Sequence, residues 1–316
     1  MKTGIMVSVY CLAYNHERYI RKALEGFVNQ KTDFSFEVFV HDDASTDKTT
    51  SIIEEYHKKY PEIIKPIYET ENQFSKIGAG IIKTILRPLF SGKYIAICEG
   101  DDYWCDELKL QKQVDYMECH PDCTLCVTNG YIHYENSDKM DDFVFSISKN
   151  IPKAELKDSD FDVGGLVDLY VPTASFLFPR SNYLKFPKSY ERYCFGADRK
   201  LAMYCCALGY CHFINDKTCV YNRGVPNSET TRKKSREESI IIAKGYFYLY
   251  QDINSITNYE YPSIIESKII HWQKILLFMD YKEQIKNPFA KMVCANLGIK
   301  DRLRLIKNRF FYLNKR

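Results

Sequence analysis

Three short polar segments of this 316-residue chain hold side chains that could do chemistry together: Tyr14-Asn15-His16-Glu17, His41-Asp42-Asp43-Ala44-Ser45-Thr46-Asp47 and Glu99-Gly100-Asp101-Asp102-Tyr103-Trp104. Asp and Ser also make ordinary turns and helix caps, so either acidic cluster alone has a purely structural reading. Each cluster, however, follows an apolar run. If those runs are strands of one sheet, at least five carboxylates gather at one edge, which is electrostatically costly without a cation. Oxygen ligands with few histidines favour Mg²⁺ or Mn²⁺ over zinc. What is absent narrows the ligand further. The chain has no GxGxxG after its first apolar run, no GxxxxGK[ST] and no GxSxG, which argues against dinucleotides, P-loop nucleotide hydrolysis and acyl transfer. A metal held by carboxylates and shared with substrate phosphates remains.

The elements that must position these segments alternate. Val7 to Leu12 is a continuous apolar run typical of a strand buried on both faces, and Ile20, Leu24, Phe27 and Val28 follow at helical spacing. Val38-Phe39-Val40 is a second strand, followed by a helix with Ile52, Ile53, Tyr56 and Tyr60. A third strand is expected at 63–68, then a helix carrying Ile81, Ile82, Ile85, Leu86 and Leu89. A fourth strand is expected at 94–98, then a helix with Leu108, Gln111, Val114 and Met117. This βαβα order predicts a mostly parallel sheet flanked by helices, with ligands beyond the carboxyl ends of its strands. Residues 123–134 read as another strand, 135–165 as a polar surface insertion, 173–178 as a strand and 198–208 as a helix. From about residue 230 the pattern is helical. The expected organisation is a catalytic domain over 1–228, divided at 122/123 into a ligand-binding half and a second half, with a helical extension over 229–316.

Lys and Arg total 44 against 41 Asp and Glu, a net charge of +3 that gives no reason to expect nucleic acid. Neither a secretory leader nor an apolar run long enough to cross a bilayer is evident, so the expected location is cytoplasmic. The 12 cysteines then read as reduced, buried hydrophobes. Cys123 and Cys126 have CxxC spacing but no matching second pair for a zinc site.

At these residues the sequence resembles the family 2 glycosyltransferases, inverting enzymes of GT-A fold that use nucleotide-diphosphate sugars. The matching stretches are residues 7–15, Glu37-Val38-Phe39-Val40-His41-Asp42-Asp43-Ala44-Ser45-Thr46-Asp47, and residues 94–104, with Leu108-Lys109-Leu110-Gln111-Lys112-Gln113 downstream. The likeness covers residues 4 to 222 and is most specific in its first half. It implies an α/β, Rossmann-like GT-A domain with a UDP-sugar donor. Leu12 and Tyr14 would line the nucleotide pocket, Asp43 would take the nucleobase, and Asp42 would hold the loop. Glu99-Gly100-Asp101 stands where the family carries Asp-x-Asp. Asp101 would therefore be the ligand of Mn²⁺ or Mg²⁺, with Glu99 near the ribose or a metal-bound water and Asp102 in support. An inverting transfer needs a base for the acceptor hydroxyl. The family's base begins a helix on the acceptor side, and Phe195-Gly196-Ala197-Asp198-Arg199-Lys200 matches that place, which makes Asp198 the candidate. Val220-Tyr221-Asn222-Arg223 resembles a further family element, with Arg223 a weak candidate for the diphosphate. The implied role is transfer to a glycan or lipid-linked acceptor in cell-surface polysaccharide assembly. Two other readings stay open: a catalytically silent nucleotide-sugar-binding module and a sugar nucleotidyltransferase.

The last 31 residues, 286–316, hold nine Lys/Arg and one acid. Ile299, Leu303, Ile306, Phe310 and Leu313 recur at steps of four and three, with Lys300, Arg302, Arg304, Lys307 and Arg309 on other faces. Residues 298–316 are thus expected to form a basic amphipathic helix. It would either lie on an anionic surface, the inner face of the cell membrane, or pack on the catalytic domain.

Overall fold

In the computed structural model, which describes residues 4–78, 80–137, 139–144, 157–167, 169–192, 197–226, 228 and 230–313, the first apolar run is β1 (Ile5–Ala13). Its residues from Met6 to Cys11 are all buried, as a continuous apolar run in the middle of a parallel sheet requires. β1 pairs in parallel with β2 (Ser35–Asp42) on one side and β4 (Tyr94–Ile97) on the other, and β2 carries β3 (Ile64–Tyr68) in parallel. Helices α1 (Ile20–Val28) and α2 (Thr49–Lys59) connect these strands and bury Leu24, Phe27, Ile53 and Tyr56.

Beyond β4 come β5 (Tyr103–Trp104), helix α3 (Lys109–Cys119), β6 (Cys123–Tyr134), β7 (Met140–Asp142), β8 (Ser159–Phe161) and β9 (Leu177–Pro179). Helix α4 (Ala197–Ala207) then leads to β10 (Tyr210–Arg223). The sheet runs β3-β2-β1-β4-β9-β6-β10-β5, with β7 beside β6 and β8 beside β10. It is parallel through β3, β2, β1 and β4 and again between β6 and β10, while β5, β7, β8 and β9 are antiparallel. The α/β class and the helical C-terminal region are as expected.

Two expectations need correction, and one strand was missed. The helix expected through Ile81–Leu89 is broken into one wide turn, Ile82–Leu86, and a 3₁₀ turn, Arg87–Leu89, where Pro88 has no N–H to continue the ladder. Within the expected strand at 173–178, Thr173–Ser175 is a 3₁₀ turn closed by Ser175 N–H on the Pro172 carbonyl, and only Leu177–Pro179 pairs. β10 was not foreseen, because Asn215-Asp216-Lys217 interrupts its alternation. The strand accommodates them by shifting register between Ile214 and Lys217. The described cysteines are free, and Cys123 and Cys126 are buried in β6.

The chain divides into two compact units, Met1–Phe186 with Leu201–Arg232, and Pro187–Lys200 with Lys233–Arg316. The second contains α5 (Arg236–Ile256), α6 (Pro262–Met279), α7 (Pro288–Ala295) and α8 (Ile299–Leu313). α5 starts on a capping box in which the Ser235 hydroxyl accepts the Glu238 N–H and the Glu238 carboxylate accepts the Ser235 N–H. Tyr246 of α5 stacks on Trp272 of α6 at 4.5 Å between centroids. No helix among the described residues is long and apolar enough to cross a membrane.

Candidate functional site

β1 ends in two carbonyls that fasten loops on either side of it. Leu12 O accepts the Gly100 N–H and Ala13 O accepts the Asp43 N–H, each at 2.9 Å. The acidic segments after β2 and β4 therefore lie at the same carboxyl end of the parallel strands, where open α/β sheets bind ligands. The Tyr14–Glu17 segment interlocks with the loop after β2. Asn15 N–H donates to Ser45 Oγ (2.9 Å), His16 N–H to Thr49 Oγ1 (2.8 Å) and Glu17 N–H to Asp47 Oδ2 (3.0 Å). Asn15 and Ala44 both take left-handed backbone, with φ of 55° and 62°. Asn tolerates that conformation, but for alanine it costs about 1 kcal/mol or more, a local strain the interlocking bonds sustain.

The expected site residues divide into those already satisfied by the protein and one that is not. Asp42 accepts the Ser45 N–H at 3.1 Å and the Thr50 hydroxyl, so it closes its own loop. Asp43 accepts the N–H groups of Gln73 and Phe74 and ties down the single helical turn Phe74–Ile77. Asp102 Oδ1 accepts the Asn222 N–H at 2.9 Å. Among the described residues no group of three or more His, Cys, Asp or Glu is arranged to hold a metal. Donor N–H and O–H groups offset the charge on Asp42 and Asp43 instead.

Asp101 is different. It is only 9% exposed, yet its carboxylate takes part in no hydrogen bond or ion pair among the described residues. Its oxygens are not sealed from solvent, so the largely buried carboxylate keeps its lone pairs open to a cation or a ligand. One hard oxygen ligand, completed by substrate phosphates, is how Mg²⁺-type ions are commonly held, so the residues present fit such an ion at Asp101. The Cys11 thiol beneath is pushed well up by burial, then by Asp101, Glu99 and Asp102, so it stays protonated and is no nucleophile. His16 covers the loop so closely that a Cβ on Gly100 would lie 2.9 Å from its Nδ1. Burial lowers the His16 pKa, against the pull of Asp101, Asp47 and Asp42.

Two residues of the site were missed from sequence. Asn222 of β10 clamps the carboxylate loop: its N–H goes to Asp102, its Nδ2 to the Asp101 carbonyl, and its Oδ1 pairs with His133 Nδ1 at 2.8 Å. The segment Val220–Arg223 had been singled out for Arg223, whose side chain is exposed while its carbonyl accepts the Glu135 N–H at 3.0 Å. Glu135 is the second. Its side chain is 8% exposed and lies 2.7 Å from Arg18 Nη1. Burial, followed by the hydrogen bond to Glu135, raises the Tyr19 pKa to about 12. Residues 18 and 135 are too far apart in sequence for spacing to reveal the pair. Trp104 anchors the loop from below, donating Nε1–H to the Ala174 carbonyl at 2.8 Å and meeting Phe27 edge-on at 4.9 Å.

Of the remaining candidates, Leu12 and Glu99 are half-buried and Tyr14 is 44% exposed. Asp198 is exposed in the first turn of α4 and belongs to the second unit; Phe195 and Gly196 lie outside the described residues.

A family model described as Glycosyl transferase family 2 matches residues 8–169. An uncharacterized protein of Mycobacterium tuberculosis is 44% identical over 137 residues, which are 43% of this chain and 38% of that protein. A putative teichuronic acid biosynthesis glycosyltransferase of Bacillus subtilis is 29% identical over 139 residues, 44% of this chain and 52% of the relative. The chain thus spans about half or less of these relatives' length. Among solved structures, Staphylococcus aureus TarS 1–349 in complex with UDP-GlcNAc superposes with a TM-score of 0.59 at 17% identity, covering 96% of this chain and 79% of that one. A mannosyltransferase from Pyrobaculum calidifontis in complex with GDP-Man and Mn²⁺ gives 0.52 at 18% identity, covering 99% and 82%. At such identities the likeness is one of fold, the GT-A arrangement.

Proposed function

Because the chain belongs to glycosyl transferase family 2, we propose that it moves a sugar from a nucleotide-diphosphate donor to an acceptor hydroxyl, with inversion at the anomeric carbon. The donor is a UDP-hexose or UDP-N-acetylhexosamine, and the acceptor a glycan or lipid-linked sugar in cell-surface polysaccharide assembly. The observation that carries this reading is Asp101, a largely buried acid at the end of the parallel strands whose carboxylate accepts no hydrogen bond among the described residues. The UDP-GlcNAc bound to the S. aureus protein and the teichuronic acid role in the B. subtilis relative's name support the donor and acceptor classes.

In this proposal Asp101 holds Mn²⁺ or Mg²⁺ together with the donor diphosphate. The ion, when bound, offsets charge growing on the leaving diphosphate. Leu12 and Tyr14 flank the nucleotide. Asp43, with about four lone-pair sites and two N–H bonds made, keeps capacity for a nucleobase N–H. Asp42 holds its loop, Glu99 reaches the ribose or a metal-bound water, and Asp102 supports the loop through Asn222. Asp198 takes the proton of the acceptor hydroxyl as its oxygen attacks the anomeric carbon.

A thermal-shift panel of nucleotide sugars with and without Mn²⁺ tests the donor reading. A cognate sugar at about 100 times its Kd should add about 2.7 kcal/mol of stability, and Mn²⁺ should be needed for it. No shift with any nucleotide sugar would sink the proposal. A shift without UDP release in the presence of acceptors would point to a silent binding module, and formation of nucleotide sugar from UTP and a sugar phosphate to a nucleotidyltransferase.

Asn222 offers a second test. Asn222→Ala keeps the main-chain N–H bond to Asp102 but removes the side-chain bonds to the Asp101 carbonyl and His133 Nδ1, leaving those partners unpaired at about 1–3 kcal/mol each. Donor KM should rise about tenfold, with a lowered melting temperature. Initial-rate kinetics with unchanged KM would show that the loop holds its shape without Asn222.

A further inference from the structure

The end of β6 carries an imidazole that the proposed reaction leaves unused. β4 pairs antiparallel with β9, and β9 antiparallel with β6, so β6 runs in the direction of β4 and ends at the same sheet edge as the Asp101 loop. β10 is parallel to β6, and its Asn222 lies opposite His133 in the register. One amide group therefore joins the two sides. The Asn222 side chain touches the Asp101 main chain at one end and the His133 ring at the other. His133 and Asp101 belong to the same compact unit.

These bonds fix which nitrogen of the ring carries its proton. The Asp101 carbonyl can only accept, so the Asn222 amide turns Nδ2 toward it and Oδ1 toward the imidazole. Oδ1 can only accept as well, so His133 Nδ1, at 2.8 Å, is the protonated nitrogen. In the neutral ring Nε2 is then a lone pair that can only accept. It has no hydrogen-bond partner among the described residues and is not sealed from solvent. The half-buried ring thus arrives at the site edge with its tautomer set and one acceptor open.

We propose that His133 Nε2 accepts a hydrogen bond from a hydroxyl of the donor hexose, which makes His133 a specificity-determining residue for the sugar. The inference rests on the nucleotide-sugar reading above. In that reading Asp101 shares an ion with the donor diphosphate, and the hexose is bonded to that diphosphate. The hexose is therefore the hydroxyl-bearing group tied to the neighbourhood of Asp101. A sugar hydroxyl donates to a lone pair, whereas a diphosphate oxygen has no proton to give at neutral pH and would meet it lone pair to lone pair. His133 Nε2 suits the sugar and not the diphosphate. A sugar lacking that hydroxyl would leave the nitrogen without its partner, which is how a polar site rejects such an analogue.

Titration calorimetry of the full chain in Mn²⁺, with UDP and with UDP-glucose, UDP-galactose, UDP-GlcNAc and UDP-GalNAc, tests it without relying on sugar transfer. His133→Asn keeps an N–H where Nδ1 bonds Asn222 and removes Nε2, so a ring that merely supports Asn222 is replaced without loss. The variant should bind UDP as the wild type does, within about twofold, and bind the sugar nucleotide that the wild type prefers about tenfold more weakly. Should the variant melt early, the wild type answers alone. In protein with isotope-labelled histidine, the Nε2 resonance of His133 should shift on adding that nucleotide sugar and stay in place on adding UDP. Equal sugar-nucleotide affinity of wild type and variant, an equal loss for UDP and the nucleotide sugar, or an unmoved Nε2 resonance would overturn the assignment of His133 and leave the donor reading standing. A wild type that binds none of these sugar nucleotides would overturn both.

Discussion

Asp198→Asn should leave donor affinity intact and lower turnover by about 10² or more. The substitution is chosen because it separates the proposed role of Asp198 as base from its place at a helix start. It sits in the first turn of α4, where an acidic side chain is favoured by the helix dipole and its oxygen can serve the free N–H groups of the helix start. Asparagine keeps that oxygen and the shape of the side chain, so the helix start survives, but an amide cannot accept the acceptor hydroxyl's proton. Asp198→Ala would remove both functions and confuse them. Measured kcat with an unchanged donor Kd is the expected split; full turnover by the Asn variant would take the role of base away from Asp198.

Asp101→Ala is expected to abolish the Mn²⁺-dependent part of donor binding and to lower kcat/KM by about 10² to 10³. Its effect on stability should run the other way. The wild-type carboxylate accepts no hydrogen bond among the described residues, so its removal orphans no partner, and the acid no longer repels its neighbours Glu99 and Asp102. Without metal or donor the variant should melt at or above the wild-type temperature. With Mn²⁺ and nucleotide sugar the wild type should rise and the variant should not. That crossing of the melting curves separates a ligand-binding carboxylate from a structural one. A variant that melts early and still responds to Mn²⁺ would mean that Asp101 serves the fold.

The parts of this molecule that could be read from sequence are those where one residue type at one spacing has one physical explanation. Val7–Leu12 reads as a doubly buried strand because a short continuous apolar run between polar segments suits the middle of a parallel sheet, and the acidic loops follow from where parallel strands end. β10 escaped because Asn215-Asp216-Lys217 breaks the alternation that marks a strand, and only its pairing with β6 reveals that the break is a register shift. The carboxylates were recognised as a group, but their division of labour was not legible. Asp43 is occupied by N–H donors from Gln73 and Phe74, and Asp102 by Asn222, while Asp101 is left over. Such assignments depend on backbone groups 30 to 120 residues away, to which local pattern is blind.

The two adjacent carbonyls at the end of β1, Leu12 and Ala13, make the site mechanically part of the sheet's centre. Loops usually breathe on their own, but Gly100 and Asp43 are held by a strand with parallel neighbours on both sides. Their amide hydrogens should therefore exchange with solvent on the slow timescale of core opening, while those of exposed residues such as Tyr14 exchange fast. A slip of β1 by one residue would shift both attachments together. The carboxylates at the two loops are consequently fixed relative to each other to the precision of a strand register, and adaptation to a ligand is left to the side chains.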